Sequence, residues 1–378
     1  MHAPGRNSMC RPYKKKYKDQ IRLEEPVAWC FAQERRERDT YKMNILAPVK
    51  KADEIEYLVA CGATELYCGY IPQIWIQTYM DVEDIEDMHI SINKREALGD
   101  NVLDIIEMQE IIEKASIWKV PVYVTLNRLN FPQSCYNVLE LGILELVAVG
   151  VKNFIVTDIG LIAWLKSYDP ELNITVSTCA VSLNSWSNQL YAELGAKRMT
   201  FPRHMSITEI EEVCKHIPDM EFECFILDQG CQYDDGNCRI LHSCGAICRD
   251  QWNYEYFRTD HKAFVEDEME EIYRNEFYYT RWLRPYPAKD YQINQWGTIF
   301  CTICNLPRLS KIKNLKAIKI AGRSKDIQEK VRLVQLTHNV LKIAKEGMNK
   351  VELQQYVQKH MGEKLCERRQ RCYMLGTS

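Results

Sequence analysis

The sequence has no apolar run long enough to cross a bilayer. Its longest, LGILELVAVGV at 141–151, falls well short of the roughly twenty residues a helical span needs. It has no apolar segment near its start that would read as a secretory signal. It has no marked excess of either charge: 378 residues carry a formal −3, which makes no global electrostatic bid for nucleic acid or an anionic membrane. It has no low-complexity tract, and at 46% hydrophobic and 27% charged it is composed like a globular chain with a substantial core. No glycine-rich phosphate loop follows the first strand-like run, which counts against a dinucleotide-binding doubly wound sheet. Together these absences lead us to expect a cytoplasmic protein.

What the chain has in quantity is cysteine, sixteen in all. In a reducing compartment that count argues against a disulfide framework and moves metal, cluster or redox chemistry forward. Cys61 in EIEYLVACGA and Cys214 in EIEEVCKHI sit in helix-like patterns and read as small core residues. The dense group is GCQYDDGNCRILHSCGAICRD at 230–250, which sets Cys231, Cys238, Cys244 and Cys248 in the spacing C-x6-C-x5-C-x3-C. Cys301 and Cys304 follow in CTIC at 301–304. Paired C-x2-C units would indicate a zinc ribbon, and only the second group has that spacing. A ring of thiolates drawn from irregular spacings, one of them remote, suits an iron–sulfur cluster. On spacing alone, zinc and iron–sulfur stand level.

Residues 1–42 are charged and patternless. They read as a disordered leader, or as an over-extended gene start with Met43 as the first residue. From Met43 a rhythm begins: MNILAPV (43–49), ELYCGY (65–70), VPVYVTLN (120–127), NFIVTD (153–158), NITVST (173–178), RMTFPR (198–203), EFECFIL (221–227) and AIKIAG (317–322). Most are continuously apolar, as parallel strands buried on both faces are. Helical patterns separate them, among them NVLDIIEMQEIIEKASIW (101–118) and the capping-box start at Ser206 and Glu209. Eight strands alternating with helices predict an α/β fold, a TIM-like (β/α)8 barrel over 43–325. A long insertion, 251–316, separates the seventh and eighth strands. Residues 251–300 hold fourteen of the chain's 39 aromatic residues, so this loop is expected to act as a lid or to pack as a small aromatic core over the barrel mouth. Residues 326–378 form a C-terminal helix, with Ile327, Val331, Val334 and Leu341 on one face, and a basic tail.

In a parallel barrel the chemistry gathers where strands end. Those ends supply Tyr67 and Cys68, Asn127, Asp158, Ser177 and Thr178, Arg203 and His204, then Asp228. Asp158 suits a pocket or the cap of the following helix equally well. Arg203 suits recognition of an anion or carboxylate, or a salt bridge to a neighbouring strand-end carboxylate. His204 offers a general base but, alone beside an arginine, reads more readily as structural.

At this point the chain resembles the U32 peptidase (collagenase-like) family. ILAPVKKADEIEYLVACGATELYCGY is similar to that family's L-x-P strand followed by GAD-x-x-Y-x-G. TLN stands at 125–127, D-x-G at Asp158–Gly160, and ST at Ser177–Thr178. ELGAKRMTFPRHMSITEI and LPRLSKIKNLKAIKIAGR resemble two further family segments. The signature E-x-F-x-x-G-x-x-C-x-x-x-x-G-x-C is matched at Glu223, Phe225, Cys231, Gly236 and Cys238, and a later C-x3-C-R at Cys244, Cys248 and Arg249. The resemblance is collinear over roughly 43–325. Asp228 replaces the signature glycine, Cys179 a glutamine and His204 an acidic residue, which marks a divergent member.

Some members of that family are named as collagen-degrading proteases. Others are iron–sulfur proteins of oxygen-independent hydroxylation, in ubiquinone synthesis and in RNA modification. The resemblance implies a 4Fe-4S cluster held by Cys231, Cys238, Cys244 and Cys301, with Cys248 and Cys304 in reserve and zinc as the alternative. It implies a substrate that is an RNA base or a small aromatic metabolite, in a pocket lined by Asn127, Asp158, Ser177 and Arg203. A second family member as hetero-oligomer partner, an electron donor and no membrane complete that expectation. The alternatives are a metal-dependent peptidase, for which the sequence offers neither a serine–histidine–acid arrangement nor an H-E-x-x-H helix, and a non-catalytic, cluster-carrying subunit.

Overall fold

Each of the eight apolar runs forms a strand, because a run without polar alternation can bury both faces only inside a layered α/β structure. The strands are β1 (Asn44–Pro48), β2 (Glu65–Gly69), β3 (Val122–Leu126), β4 (Asn153–Val156), β5 (Asn173–Val176), β6 (Arg198–Thr200), β7 (Glu221–Leu227) and β8 (Leu315–Ile320). In this computed structural model, which describes residues 43–80, 91–94, 98–227, 235–238, 256–260, 262–283, 301–347 and 350–361, they pair in chain order, all parallel, into a closed barrel. Ile45 beside Ile318 closes β1 onto β8.

The helices are α1 (Glu54–Ala60), α2 (Gln73–Tyr79), α3 (Ile105–Trp118), α4 (Tyr136–Ala148), α5 (Ile159–Tyr168), α6 (Ser185–Glu193), α7 (Ile207–His216), α8 (Glu266–Leu283), α9 (Leu306–Leu309), α10 (Ile327–Lys345) and α11 (Lys350–Met361). Ser206 and Glu209 form the reciprocal capping box at the start of α7. Helix α8 lies inside the stretch that the sequence pattern presents as a loop. Its acidic first turn, Glu266 to Glu268, complements the helix dipole; the aromatic content of the stretch masks that signal. Val334 and Leu341 on α10 are buried as expected, while Ile327 and Val331 are half-buried against the same core. Lys330 on the same helix is buried too, its ammonium 2.8 and 3.0 Å from the two carboxylate oxygens of Glu54, which ties α10 to the start of α1. Among the described residues no helix is long and apolar enough to cross a membrane.

Alternate strand residues point to opposite sides of the barrel wall. Outward-facing residues such as Ile45, Leu66, Cys68, Val124, Phe154 and Phe222 meet the helices in one continuous apolar core. Inward-facing residues differ in kind: a small apolar group of Leu46, Tyr67, Tyr123 and Ile155 is joined by charged side chains. Arg198 reaches the two oxygens of Glu65 at 2.6 and 3.1 Å and Glu221 at 3.0 Å. Asn44 donates to Glu65 at 2.7 Å.

Gly62 turns the chain after α1 at φ +110°, and a Cβ there would lie 2.5 Å from the His338 ring. Both the left-handed backbone and the close approach require glycine. Gly62→Ala is expected to cost about 1–3 kcal/mol, read as a lower urea midpoint. An unchanged midpoint would mean that His338 swings clear and the backbone strain is negligible.

Candidate functional site at the barrel mouth

The C-terminal ends of β3, β4 and β5 bring small polar groups together. The Asn127 amide donates to Ser177 Oγ at 3.5 Å, and Thr157 Oγ1 donates to the Asn127 carbonyl at 3.2 Å. Ser177 Oγ also accepts from the Cys179 amide at 3.3 Å. Asn127 works equally in the other direction, since its Oδ1 accepts from the Lys94 backbone at 3.1 Å. Residues 91–94 are thereby pinned against the mouth. Asn93 donates to the Tyr70 carbonyl and to Asn101 Oδ1, both at 3.1 Å, and Arg128 donates to the Ser91 carbonyl at 3.0 Å.

Arg323, just past β8, crosses to Thr125 Oγ1 at 2.9 Å and Asn101 Oδ1 at 3.2 Å. It does so over Gly69, where any Cβ would collide with the Arg323 and Asn101 side chains. This explains a bare glycine in the middle of the mouth.

Asp158 is turned outward to the helix that follows it. One oxygen accepts from the Leu161 amide at 2.8 Å, capping α5, and the other from the Phe131 amide at 2.8 Å. Of the two readings the sequence allows, the structure gives the cap. Arg203 forms an ion pair with Asp235, and its guanidinium lies 3.9 Å from the centre of the Phe225 ring. That is the salt-bridge alternative, with the carboxylate supplied by the cysteine-rich segment. His204 is exposed. Tyr67 lines the barrel interior, its hydroxyl donating to the Ile320 carbonyl at 3.0 Å, and Cys68 faces the outer core.

Among the described residues the cysteines differ in burial. Burial pushes the thiols of Cys68, Cys179 and Cys214 up to about 12, and that of Cys224 higher still, so these four are protonated core residues. Cys238 and Cys301 are half-buried at the mouth. Cys301 pairs in an antiparallel bridge with Leu227 at the end of β7, and the next amide, Thr302, donates to the Ile226 carbonyl at 2.9 Å. Cys304 follows, half-buried against the core. Cys231, Cys244, Cys248 and Asp228 lie outside the described residues. Among the described residues no three histidine, cysteine or acidic groups gather as a metal site. The donor chemistry on offer suits a thiolate-bound group: Cys238 lies beside Lys94 and Cys301 at the end of β7, two cysteines on segments far apart in sequence. Gly236 lets its segment lie where a Cβ would strike the Val181 side chain and the Cys179 carbonyl.

In the sequence Glu223 and Lys319 stand out only as parts of motifs, and Lys94 not at all. Lys319 Nζ is 3.0 Å from Glu223 Oε1, which also accepts from Thr200 at 2.8 Å, and it sits 4.5 Å from the centre of the Tyr67 ring. Burial lowers the Lys319 ammonium, Glu223 opposes that, and the positive charges of Arg203 and Arg323 add to the lowering. Burial alone would raise Glu223, but Lys319 and then Arg198 outweigh it and hold the carboxyl below its usual range. The mouth thus carries Lys94, Arg203 and Arg323 above a barrel interior in which Arg198 and Lys319 face Glu65, Glu221 and Glu223.

Set beside known proteins, the family model described as peptidase family U32 matches residues 50–378. "tRNA hydroxylation protein P" of Escherichia coli is 23% identical over 242 residues, which cover 61% of this chain and 49% of that protein. The chain therefore spans about half the length of that relative. The protein of the same name from Haemophilus influenzae is 21% identical over 339 residues, 81% of this chain and 69% of the relative. That from Helicobacter pylori strain J99 is 29% identical over 159 residues, 39% and 37%. Among solved structures, the U32 peptidase Mk0906 aligns over 84% of this chain and 98% of its own, with a TM-score of 0.40 and 9% identity.

Proposed function

We propose, from the premise that the chain belongs to peptidase family U32, that it serves the oxygen-independent hydroxylation or related modification of an RNA base and carries a 4Fe-4S cluster at the barrel mouth. The observation that supports this reading is that Cys238, its carbonyl held by Lys94 beside Asn127, and Cys301, bridged to Leu227 at the end of β7, both lie at the C-terminal ends of the strands. Relatives named for tRNA hydroxylation support the substrate class. Cys231, Cys238, Cys244 and Cys301 would hold the cluster, which when bound would supply electron transfer. Asn127 and Ser177 present an amide and a hydroxyl, the groups that read the edge of a planar base. Arg203 and Asp158 shape the mouth by holding its loops. Reducing equivalents come from an electron donor, and a second family member is the partner to look for. Ser177 is bonded by an amide side chain and a backbone amide rather than by a histidine, so the hydrolytic alternative finds no activated nucleophile at this position.

Purification of the full chain without oxygen, followed by iron, sulfide and EPR analysis, tests the cofactor. About four irons and four sulfides per chain are expected, falling by more than half in Cys238→Ser and Cys301→Ser. A colourless protein holding one zinc would overturn the cluster. Nucleoside mass spectrometry of RNA from cells lacking the gene tests the substrate class. Loss of a hydroxylated nucleoside, restored by the intact gene and not by Cys238→Ser, is the expected result, and an unchanged nucleoside profile would sink it.

A further inference from the structure

The segment 235–238 is short, yet three different parts of the barrel grip it. Asp235 pairs with Arg203 at the end of β6, and both side chains are largely buried, at 17% and 10% exposure. Gly236 lies against Cys179 and Val181, in the turn that follows β5. The ammonium of Lys94 donates to the carbonyl of Cys238 itself. Lys94 is in turn held by Asn127 at the end of β3, and Asn127 by Asn93.

These contacts differ in kind. One is an ion pair, one a backbone packing that only glycine permits, and one a charged hydrogen bond to a main-chain oxygen. No strand or helix runs through 235–238, so its position depends on what grips it. Arg203 itself lies over the Phe225 ring, and Val181, which ends the turn Thr178–Ala180 beside the glycine, has a left-handed backbone, φ 50°. A β-branched residue holds that conformation only where its surroundings determine it.

We propose that Arg203, the turn at Cys179 and Val181, and Lys94, the last held in place by Asn127, form a three-point clasp on the Cys238 segment, so that the thiol is presented at a fixed place over the mouth before any metal or cluster binds. The purpose of the clasp, though not its existence, rests on the cluster reading above. Two residues that the sequence assigns to a substrate pocket, Arg203 and Asn127, thereby acquire a second role, since they set one ligand of the cofactor. Preformed ligand geometry lowers the ordering cost of binding.

The test uses full-length, metal-free, reduced protein. Iodoacetamide modification is followed residue by residue by peptide mass spectrometry, with Cys301 as the internal reference. Arg203→Gln and Asp235→Asn should each speed Cys238 modification about tenfold, the change expected for losing roughly 1.4 kcal/mol of local closure, with Cys301 unchanged. Direction is the discriminating feature. If the pair acted only through its charges on the thiolate, removing the cation would slow the reaction and removing the anion would speed it. A clasp requires both to speed it, and the exchanged pair Arg203→Asp with Asp235→Arg to restore the slow rate. Lys94→Met should act in the same direction as the two single changes. Opposite directions, or no change, would overturn the clasp.

Iron content after anaerobic reconstitution then tests its purpose, with the single variants expected to retain less than half of the native iron and the exchanged pair to recover it. Faster modification with undiminished iron would overturn that purpose. Native protein that takes up no iron would sink the cluster reading, while the modification rates would still decide the clasp.

Discussion

Arg198→Met should remove about 3–5 kcal/mol of folding stability, the cost of stranding a buried carboxylate without its partner. The side chain is the shared cation of Glu65, Glu221 and Glu223: it forks onto Glu65, bonds Glu221 and stands 3.6 Å from Glu223 Oε2. Glu65 and Glu223 are buried, so neither can turn to water once the guanidinium is gone. Burial would lower the arginine's own titration, but the hydrogen bonds and charge of Glu65 hold it above the ordinary range. Against a total stability of about 5–15 kcal/mol for a typical domain, the loss is large. Urea unfolding at pH 7 measures it. A loss below about 1 kcal/mol would mean that the barrel interior hydrates freely.

Lys319→Met should cost a similar amount, about 3 kcal/mol or more, because Glu223 loses its nearest cation. Lys319→Met combined with Glu223→Gln should recover at least half of the loss, since the double change leaves no stranded charge at that position. The native carboxyl of Glu223 is held below its usual range. Its contribution is therefore complete above the unfolded glutamate value, roughly 4.3, and is lost as pH falls through the lower folded value. Glu223→Gln alone should flatten that acid limb of the stability curve. Simple additivity of the two single changes would show that Lys319 and Glu223 act independently.

The strands are legible in the sequence because burial on both faces leaves a continuous apolar run, and the capping box at Ser206 because its two partners are three residues apart. The charged barrel interior is not. Glu65, Arg198 and Glu221 stand at the starts of strands, where a polar residue reads equally as the last residue of a loop. Only closure of the sheet turns them inward toward one another. Asp158 and Arg203 each admit two readings because a strand-end side chain can face the mouth or its neighbours, and position along the chain is the same in both cases. Partners decide between them, Leu161 and Phe131 for one and Asp235 for the other. Residues 91–94 carry no periodicity, and their place at the mouth follows from hydrogen bonds to Asn127 and Arg128 that no local pattern encodes. Mouth cysteines and core cysteines are likewise the same letter; burial separates Cys179 from Cys238.

The antiparallel bridge between Leu227 and Cys301 ties the chain where it leaves β7 to the chain where it returns toward β8. With both ends fixed at one spot, everything between them is a closed circuit whose entropic cost rises only as the logarithm of its length, about 0.6 kcal/mol for each doubling. Selection can therefore lengthen, shorten or rewrite residues 249–300 at little cost to the scaffold, provided the tie at Leu227 is kept. Diversity of substrate among relatives of this chain would then be concentrated in that circuit, while the barrel beneath it stays the same machine.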